Sequence, residues 1–263
     1  MSQLFQLQLA TENLDANAQQ LGVSVSQLLA IQITVSATLI PQSTLQLYLN
    51  YEIQLPNQYL ADQLTWPQWQ QQQVKFTDYL WEQTCLECFI ASELEPVAND
   101  TTKIEYPNSY IEINASPNGS YAVYEFNSYR QPSSLSPPPL LQPNSNQRAN
   151  INWTTCAVSQ SKLSIQSLLK SDSKLSIESS TVIYPCTSSD NPDYFYECGF
   201  SVGLDQLAMT ATTEADATSF NHNIGLLHPC VILSFNKVAL YFAPRHANPP
   251  DFHQRQYWTA FNP

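Results

Sequence analysis

The chain has 263 residues, of which only 12% are charged and 11% are Phe, Trp or Tyr, with a net charge of −12 and a pI near 4.5. That length is enough to bury a sizeable core and fits one large domain or two small ones. The acidity excludes nucleic acid and anionic membrane surfaces as partners, because both are held by Lys and Arg and the sequence has no basic cluster.

Residues 4–10, with Leu4, Phe5, Leu7 and Leu9, read as a short first strand. Met1-Ser2-Gln3-Leu4 carries no positive charge and no apolar signal core follows it, so the expected location is the cytoplasm. The apolar run 28–40 is interrupted by Gln32, Thr34, Ser36 and Thr38; it alternates, so it is expected to be a strand and not a membrane span. Residues 31–39 and 44–55 both alternate and are joined by Pro41-Gln42-Ser43, the pattern of a hairpin. Leu45, Leu47, Leu49 and Tyr51 share one face of it, and Gln46, Tyr48 and Asn50 the other. Residues 56–79 lose the alternation and contain Pro56, Trp66, Pro67, Trp69 and a Gln run at 70–73, as expected of a long surface connection. Its two Trp residues either pin the loop to the body or line a ligand site.

Residues 80–130 organise the chain. Segments 80–90, 110–116 and 120–126 are expected to form three consecutive antiparallel strands. Ser116-Pro117-Asn118-Gly119 supplies the central turn: Pro presets φ, Asn suits the next position, and Gly takes positive φ. That turn sets a register in which Ser116 pairs with Ser120, Asn114 with Ala122, Glu112 with Tyr124 and Tyr110 with Phe126. Ile111, Ile113, Ala115, Tyr121 and Val123 then share a core face. Tyr110, Glu112, Asn114, Tyr124 and Phe126 share the opposite one, which is either a sugar- or small-ligand-binding surface or an ordinary half-solvated sheet face.

Residues 131–150 are rich in Pro and Ser and form a linker or a long loop. Strands are expected at 151–158, 162–169, 174–183 and 195–207, with a turn-rich insertion at 185–194. Residues 208–228, holding Glu214, Asp216, His222 and His228, read as a polar loop. Further strands are expected at 231–235, 238–243 and 256–261. With no helix of three turns in prospect, the expected class is all-β, a sandwich of antiparallel sheets.

The six Cys are Cys85, Cys88, Cys156, Cys186, Cys198 and Cys230. In a cytoplasmic chain most are expected to be reduced. Cys85 and Cys88 form a single CxxC; on a strand their side chains point to opposite faces, so no zinc or other metal site is expected there.

Leu80-Trp81-x-x-Thr84-Cys85-x-Glu87-x-Phe89, followed by Tyr110-x-Glu112-x-Asn114-x-Ser116-Pro117-x-Gly119-x-Tyr121-Ala122-x-Tyr124-x-Phe126-x-x-Tyr129-Arg130, resembles the bacterial DOMON-like proteins, which are related to the family 9 carbohydrate-binding modules. The C-terminal Tyr241-Phe242-Ala243-x-Arg245-His246 and Pro250-Asp251-Phe252-His253-x-Arg255 resemble the ending of that family. The resemblance implies a jelly-roll-like β-sandwich over residues 1–263, a single domain with long insertions near 92–108, 131–150 and 184–228, and a sugar ligand. Cys88 departs from the pattern, standing where a small residue is usual.

Glu87, Glu112 and Asn114 are the first candidates for a polar ligand site, with Tyr110 and Tyr124 beside them and Trp81 either stacking on a sugar ring or plugging the sheet. Arg130 either clamps hydroxyls or pairs with a carboxylate. His253 and Arg255 flank the end of the sandwich, completing the site or belonging to a surface turn tied by Asp251. Two carboxylates suit glycosidase chemistry, but neither lies in a catalytic motif, and no nucleophile elbow, phosphate loop or dinucleotide fingerprint is present. The expected function is a non-catalytic module that binds a saccharide-like small molecule, without cofactor. The alternatives are a haem protein, for which Met209 and the four His are the available axial ligands, and a structural interaction domain.

Overall fold

Alternating apolar and polar residues make the strands of this chain, and the phase of the alternation decides which side chains turn inward. The computed structural model describes residues 2–92, 109–134, 136–143, 145–159, 194–207, 224–236 and 238–263, with 155–159 described through their backbone. Eleven strands are present: β1 Ser2–Leu9, β2 Gln32–Pro41, β3 Leu45–Leu55, β4 Cys85–Ser92, β5 Tyr110–Ala115, β6 Tyr121–Phe126, β7 Asn152–Ser159, β8 Tyr194–Gly203, β9 Ile224–Phe235, β10 Val238–Ala243 and β11 Thr259–Ala260. Three short helices join them: α1 Leu14–Leu21, α2 Val25–Leu29 and α3 Gln58–Gln63. The strands expected at 162–169 and 174–183 lie outside the described residues.

All described pairings are antiparallel, and the strands follow the order β6-β5-β4-β9-β10-β1-β2-β3-β8-β7, with β11 added beside β9. The sheet curls on itself. β1 makes the corner: residues 2–7 pair with β2, and Gln8 and Leu9 pair with β10. Inner-face residues from both halves therefore meet in one core, among them Ile33 and Leu49 from one half and Leu86, Ile113 and Leu233 from the other. The Tyr51 hydroxyl crosses that core and donates to the Glu87 carbonyl at 2.7 Å. The result is all-β and antiparallel, consistent with a β-sandwich.

The hairpin of β5 and β6 has the expected register, with Tyr110 opposite Phe126, Glu112 opposite Tyr124 and Asn114 opposite Ala122. Its turn is closed by Gly119 N–H on the Ser116 carbonyl at 2.9 Å and by Ser116 N–H on the Ser120 carbonyl at 2.8 Å. Gly119 has φ 109°, and a Cβ there would stand 3.2 Å from both the Trp69 ring and Val74 Cγ2, so backbone strain and crowding both require glycine. The Trp153 indole donates to the Gly119 carbonyl at 3.0 Å and meets the Trp69 ring edge-on at 5.2 Å. Trp66 packs on Tyr196 at 4.9 Å. Both loop Trp residues thus pin residues 56–79 to the body. The Pro-rich passage also lies on the sheet: Leu140 N–H donates to the Val123 carbonyl at 2.9 Å, and the Leu140 side chain is in the core.

Four sequence expectations are corrected. The strand expected over 195–207 is Tyr194–Gly203, followed by a 3-10 turn at Leu204–Leu207. The strand expected to begin at residue 80 begins at Cys85; Leu80–Glu82 is a 3-10 turn that follows Tyr79 at φ 63°. Residues 224–228, expected as loop, are the start of β9. Gly225 and Pro229 are poor strand residues in isolation, but Pro229 falls between the stretches of β9 paired to β11 and to β10. The last strand, expected over 256–261, is only Thr259–Ala260, preceded by a 3-10 turn at Arg255–Tyr257.

Cys85, Cys88 and Cys230 are free and fully buried. Cys88 faces the inner core and Cys85 the outer face, as strand alternation requires. Cys198 is disulfide-bonded. Burial pushes the thiols of Cys85, Cys88 and Cys230 well up. These three thiols should accordingly resist a water-soluble thiol reagent in the native protein and react fully in denaturant, while Cys198 contributes a thiol only after reduction. Rapid native labelling of Cys85 or Cys230 would show that the outer face is open.

Candidate ligand cavity

Alternation on the outer face of β4, β5 and β9 places Cys85, Glu87 and Phe89 beside Glu112 and Asn114 on one side and His228 and Cys230 on the other. Glu87 stands opposite both Asn114 and Cys230, and Phe89 opposite both Glu112 and His228. This face is not open to solvent. Glu87 is 3% exposed, Glu112 4% and Asn114 0%. A second apolar cluster covers it, built from Phe89, Tyr110, Tyr124, Phe126, Phe252 and Trp258. The expected sheet surface is therefore replaced by a covered one, with a cavity let into the cover.

The cavity has a volume of about 360 Å³, toward the small end of the ~300–1,000 Å³ range of ligand pockets. Glu87 and Glu112 lie among its lining, with rings from Trp81, Phe89, Phe126 and Phe252. Arg130, Ser133, Ser134 and Pro137 come from the passage after β6, and Asp251 and His253 from the segment after β10. Five residues singled out in the sequence, Trp81, Glu87, Glu112, Arg130 and His253, are thus brought together.

Three more hold these in place without lining the cavity. The Asn114 amide donates to Glu112 Oε1 at 2.7 Å. The Tyr110 ring stacks on Phe126 at 4.8 Å, and its hydroxyl accepts the Arg130 backbone N–H at 3.1 Å and lies 2.7 Å from His253 Nδ1. Tyr124 is fully buried and donates to Asp78 at 2.8 Å. Arg255 lies on the 3-10 turn beyond the cavity and is not among its lining. Met209 and His222 lie outside the described residues. Among the described residues no group of three or more His, Cys, Asp or Glu is placed to hold a metal ion, and no helix is long and apolar enough to cross a membrane.

Asp251 joins the two covering segments. Its Oδ1 accepts from the Arg130 guanidinium at 2.9 Å and the His253 backbone N–H at 3.0 Å, and its Oδ2 accepts from the Tyr129 hydroxyl at 2.6 Å. These donors hold its carboxyl below the usual range against the opposing effect of burial. Arg130 pairs with this loop carboxylate and not with a sheet carboxylate.

The electrostatics of the floor follow from desolvation. Burial pushes the Glu87 carboxyl well up, and the neighbouring Glu112 adds to the shift. Glu112 is pushed up to about 7 by burial, with the Asn114 amide and Arg130 pulling it down. His253 is lowered to about 3 by burial and by Arg130. A phenol that accepts the Arg130 N–H gives its own proton to Nδ1, which places the imidazole proton on Nε2, a tautomer assigned from the hydrogen-bond network. Nε2 then faces Glu112 Oε2 at 3.7 Å; with a neutral ring this is a dipolar contact, too long for a direct hydrogen bond. Glu87 Oε1 is buried without a partner, and so are both ring nitrogens of His228, which lies against Trp258 and Phe252 and is also lowered to about 3.

Phe89, Phe252 and the wall of Ser133, Ser134 and Pro137 are residues the sequence expectation omits from the site. Phe89 was recoverable from its two-residue spacing to Glu87. The wall had no such signal, since its position depends on a loop folding over the sheet.

Two outcomes follow from this geometry. An acid with a raised folded pKa loses stability as pH climbs from the unfolded value of about 4.3 to the folded value, which for Glu112 is about 7. His228 and His253 act in the opposite sense, losing stability as pH falls from about 6.5 toward 3. Glu112→Gln isolates the acid: relative to the parent it should gain on the order of 3 kcal/mol between pH 4.5 and 8, read by urea denaturation, and a constant difference would mean an exposed carboxylate. At the clasp, Arg130→Ala should cost under about 1 kcal/mol, because its side chain is 54% exposed. Asp251→Ala should cost more, roughly 1–3 kcal/mol, because three donors lose their acceptor.

The chain matches no protein-family model, no curated protein and no solved structure, so its function is argued from the cavity itself.

Proposed function

We propose that this protein is a non-catalytic binding module, a DOMON-like jelly-roll sandwich that takes a saccharide in the cavity above β4 and β5. The observation that carries the reading is the convergence of aromatic rings and directional polar groups in one small covered space: Trp81, Phe126 and Phe252 beside Glu87, Glu112 and His253. Rings supply flat apolar area for the C–H face of a pyranose, and carboxyl and imidazole groups supply hydrogen bonds to its hydroxyls. The non-catalytic role is supported by the sequence, in which neither acid lies in a recognisable catalytic motif.

Nucleic acid and membranes have no part in this reading, and the acidic composition supports leaving them out. A cytoplasmic location is part of it: the three buried free thiols suit a reducing compartment, and the Cys198 disulfide pulls the other way. Each neutral hydrogen bond contributes only about 0.5–1.5 kcal/mol net, so affinity should fall in the micromolar to millimolar range. Titration calorimetry against mono- and disaccharides should find a binder in that range that is weakened at least roughly tenfold by Trp81→Ala or Glu112→Ala. Absence of any binder at millimolar sugar, or indifference to both substitutions, would move the function elsewhere.

A further inference from the structure

We propose, building on the saccharide reading, that the preferred ligand carries a protonated amine, an amino sugar with a free ammonium group, and that Glu87 and Glu112 receive it. Glu87 lines the cavity, is 97% buried, and its Oε1 has no hydrogen-bond partner. Glu112 lies diagonally across the β4–β5 ladder, because its register partner is Phe89 while Glu87 pairs with Asn114. The two acids thus share one face of the cavity, and the Arg130 guanidinium, which also lines it and draws both carboxyls down, is already engaged by Asp251 at 2.9 Å.

A neutral sugar hydroxyl adds no charge to these acids. An ammonium group offers them three donors and a positive charge. The rings of Trp81, Phe89, Phe126 and Phe252 present faces or edges to the same volume, and a cation is attracted to ring faces. A chain of net charge −12 also draws cations toward its surface.

Binding then releases a proton. In the empty protein the pair is held at least partly protonated by burial. The ammonium favours the ionised pair, so a carboxyl O–H bond breaks, the proton leaves to buffer, and the carboxylate accepts from the ammonium. The groups facing the pair fit this account. Cys85 and Cys230 flank it on the sheet, and Tyr110 and Tyr124 back Glu112; all four are neutral, since burial raises their pKa values. His228 and His253 are neutral because burial lowers theirs. Asp251 is ionised and already paired with Arg130. Among the described residues facing the pair, this leaves Glu87 and Glu112 to give up the proton.

The test is calorimetry on the full chain at pH 6, in two buffers of different ionisation enthalpy, with glucosamine, galactosamine and mannosamine, their N-acetyl derivatives and the parent hexoses. At least one amino sugar should bind roughly tenfold or more tightly than its parent and its N-acetyl derivative, because charge-assisted hydrogen bonds are about twice as strong as neutral ones, and it should release up to one proton. Glu87→Gln and Glu112→Gln, each checked for folding by circular dichroism, should weaken that binding and abolish the proton release. Glu125→Gln, at an exposed residue near the end of β6, should change neither. Parent hexoses binding as tightly as their amines, or binding without proton release, would overturn this inference and leave the saccharide reading standing. Binding of no sugar of any kind would overturn both.

Discussion

Burial of β4, β5 and β9 on both faces is the constraint on which the site depends. Seven of the eight residues of β4 are buried. Leu86, Cys88 and Ile90 point into the sandwich core, and Cys85, Phe89 and Ala91 into the second cluster. A strand covered once can place its polar residues in water; a strand covered twice cannot. The polar side chains of the outer face must therefore be satisfied internally. Asn114 gives its amide to Glu112, Tyr110 reaches His253, and Tyr124 reaches Asp78. Glu87 Oε1, Asn114 Oδ1 and both ring nitrogens of His228 are left without partners, Glu87 beside the cavity.

That cover is held at its edge by one carboxylate. Asp251 takes donors from Tyr129, Arg130 and its own loop at His253. The contact with Arg130 is half solvated and contributes little by charge alone. Its value is geometric: it fixes the passage after β6 against the segment after β10, and the cavity is the gap between them. The same loop sets the imidazole orientation, since the His253 backbone is bound to Asp251 while its ring is bound to Tyr110.

The electrostatics of the cavity are set by burial. Desolvation favours the neutral forms of Glu87, Glu112 and His253, raising the two acids and lowering the histidine, while Asp251 is held ionised by its donors. On the proposed reading, such a site takes hydroxyls without charge and answers a cation by changing its protonation state. This gives ligand charge a larger effect on affinity than contact area would suggest, because every electrostatic term is strengthened in low dielectric.

Local pattern alone determined a good deal. Two-residue alternation with Ser116-Pro117-Asn118-Gly119 specified the β5–β6 register, since a one-residue slip would carry Ile111 and Ile113 out of the core. It also put Glu87, Glu112 and Asn114 on one face and Cys85 and Cys88 on opposite ones. What that face meets was decided only by tertiary structure. Alternation separates two faces but does not say whether the polar one is wet, and β9, with Gly225 and Pro229, became a strand only through its neighbours. The covering segments 126–140 and 244–258 have no period to read, and they come together through contacts more than a hundred residues apart, such as Arg130 with Asp251. Those contacts turned an expected open surface into a covered face with a cavity, because position along the chain carries no information about which loop will lie over which strand.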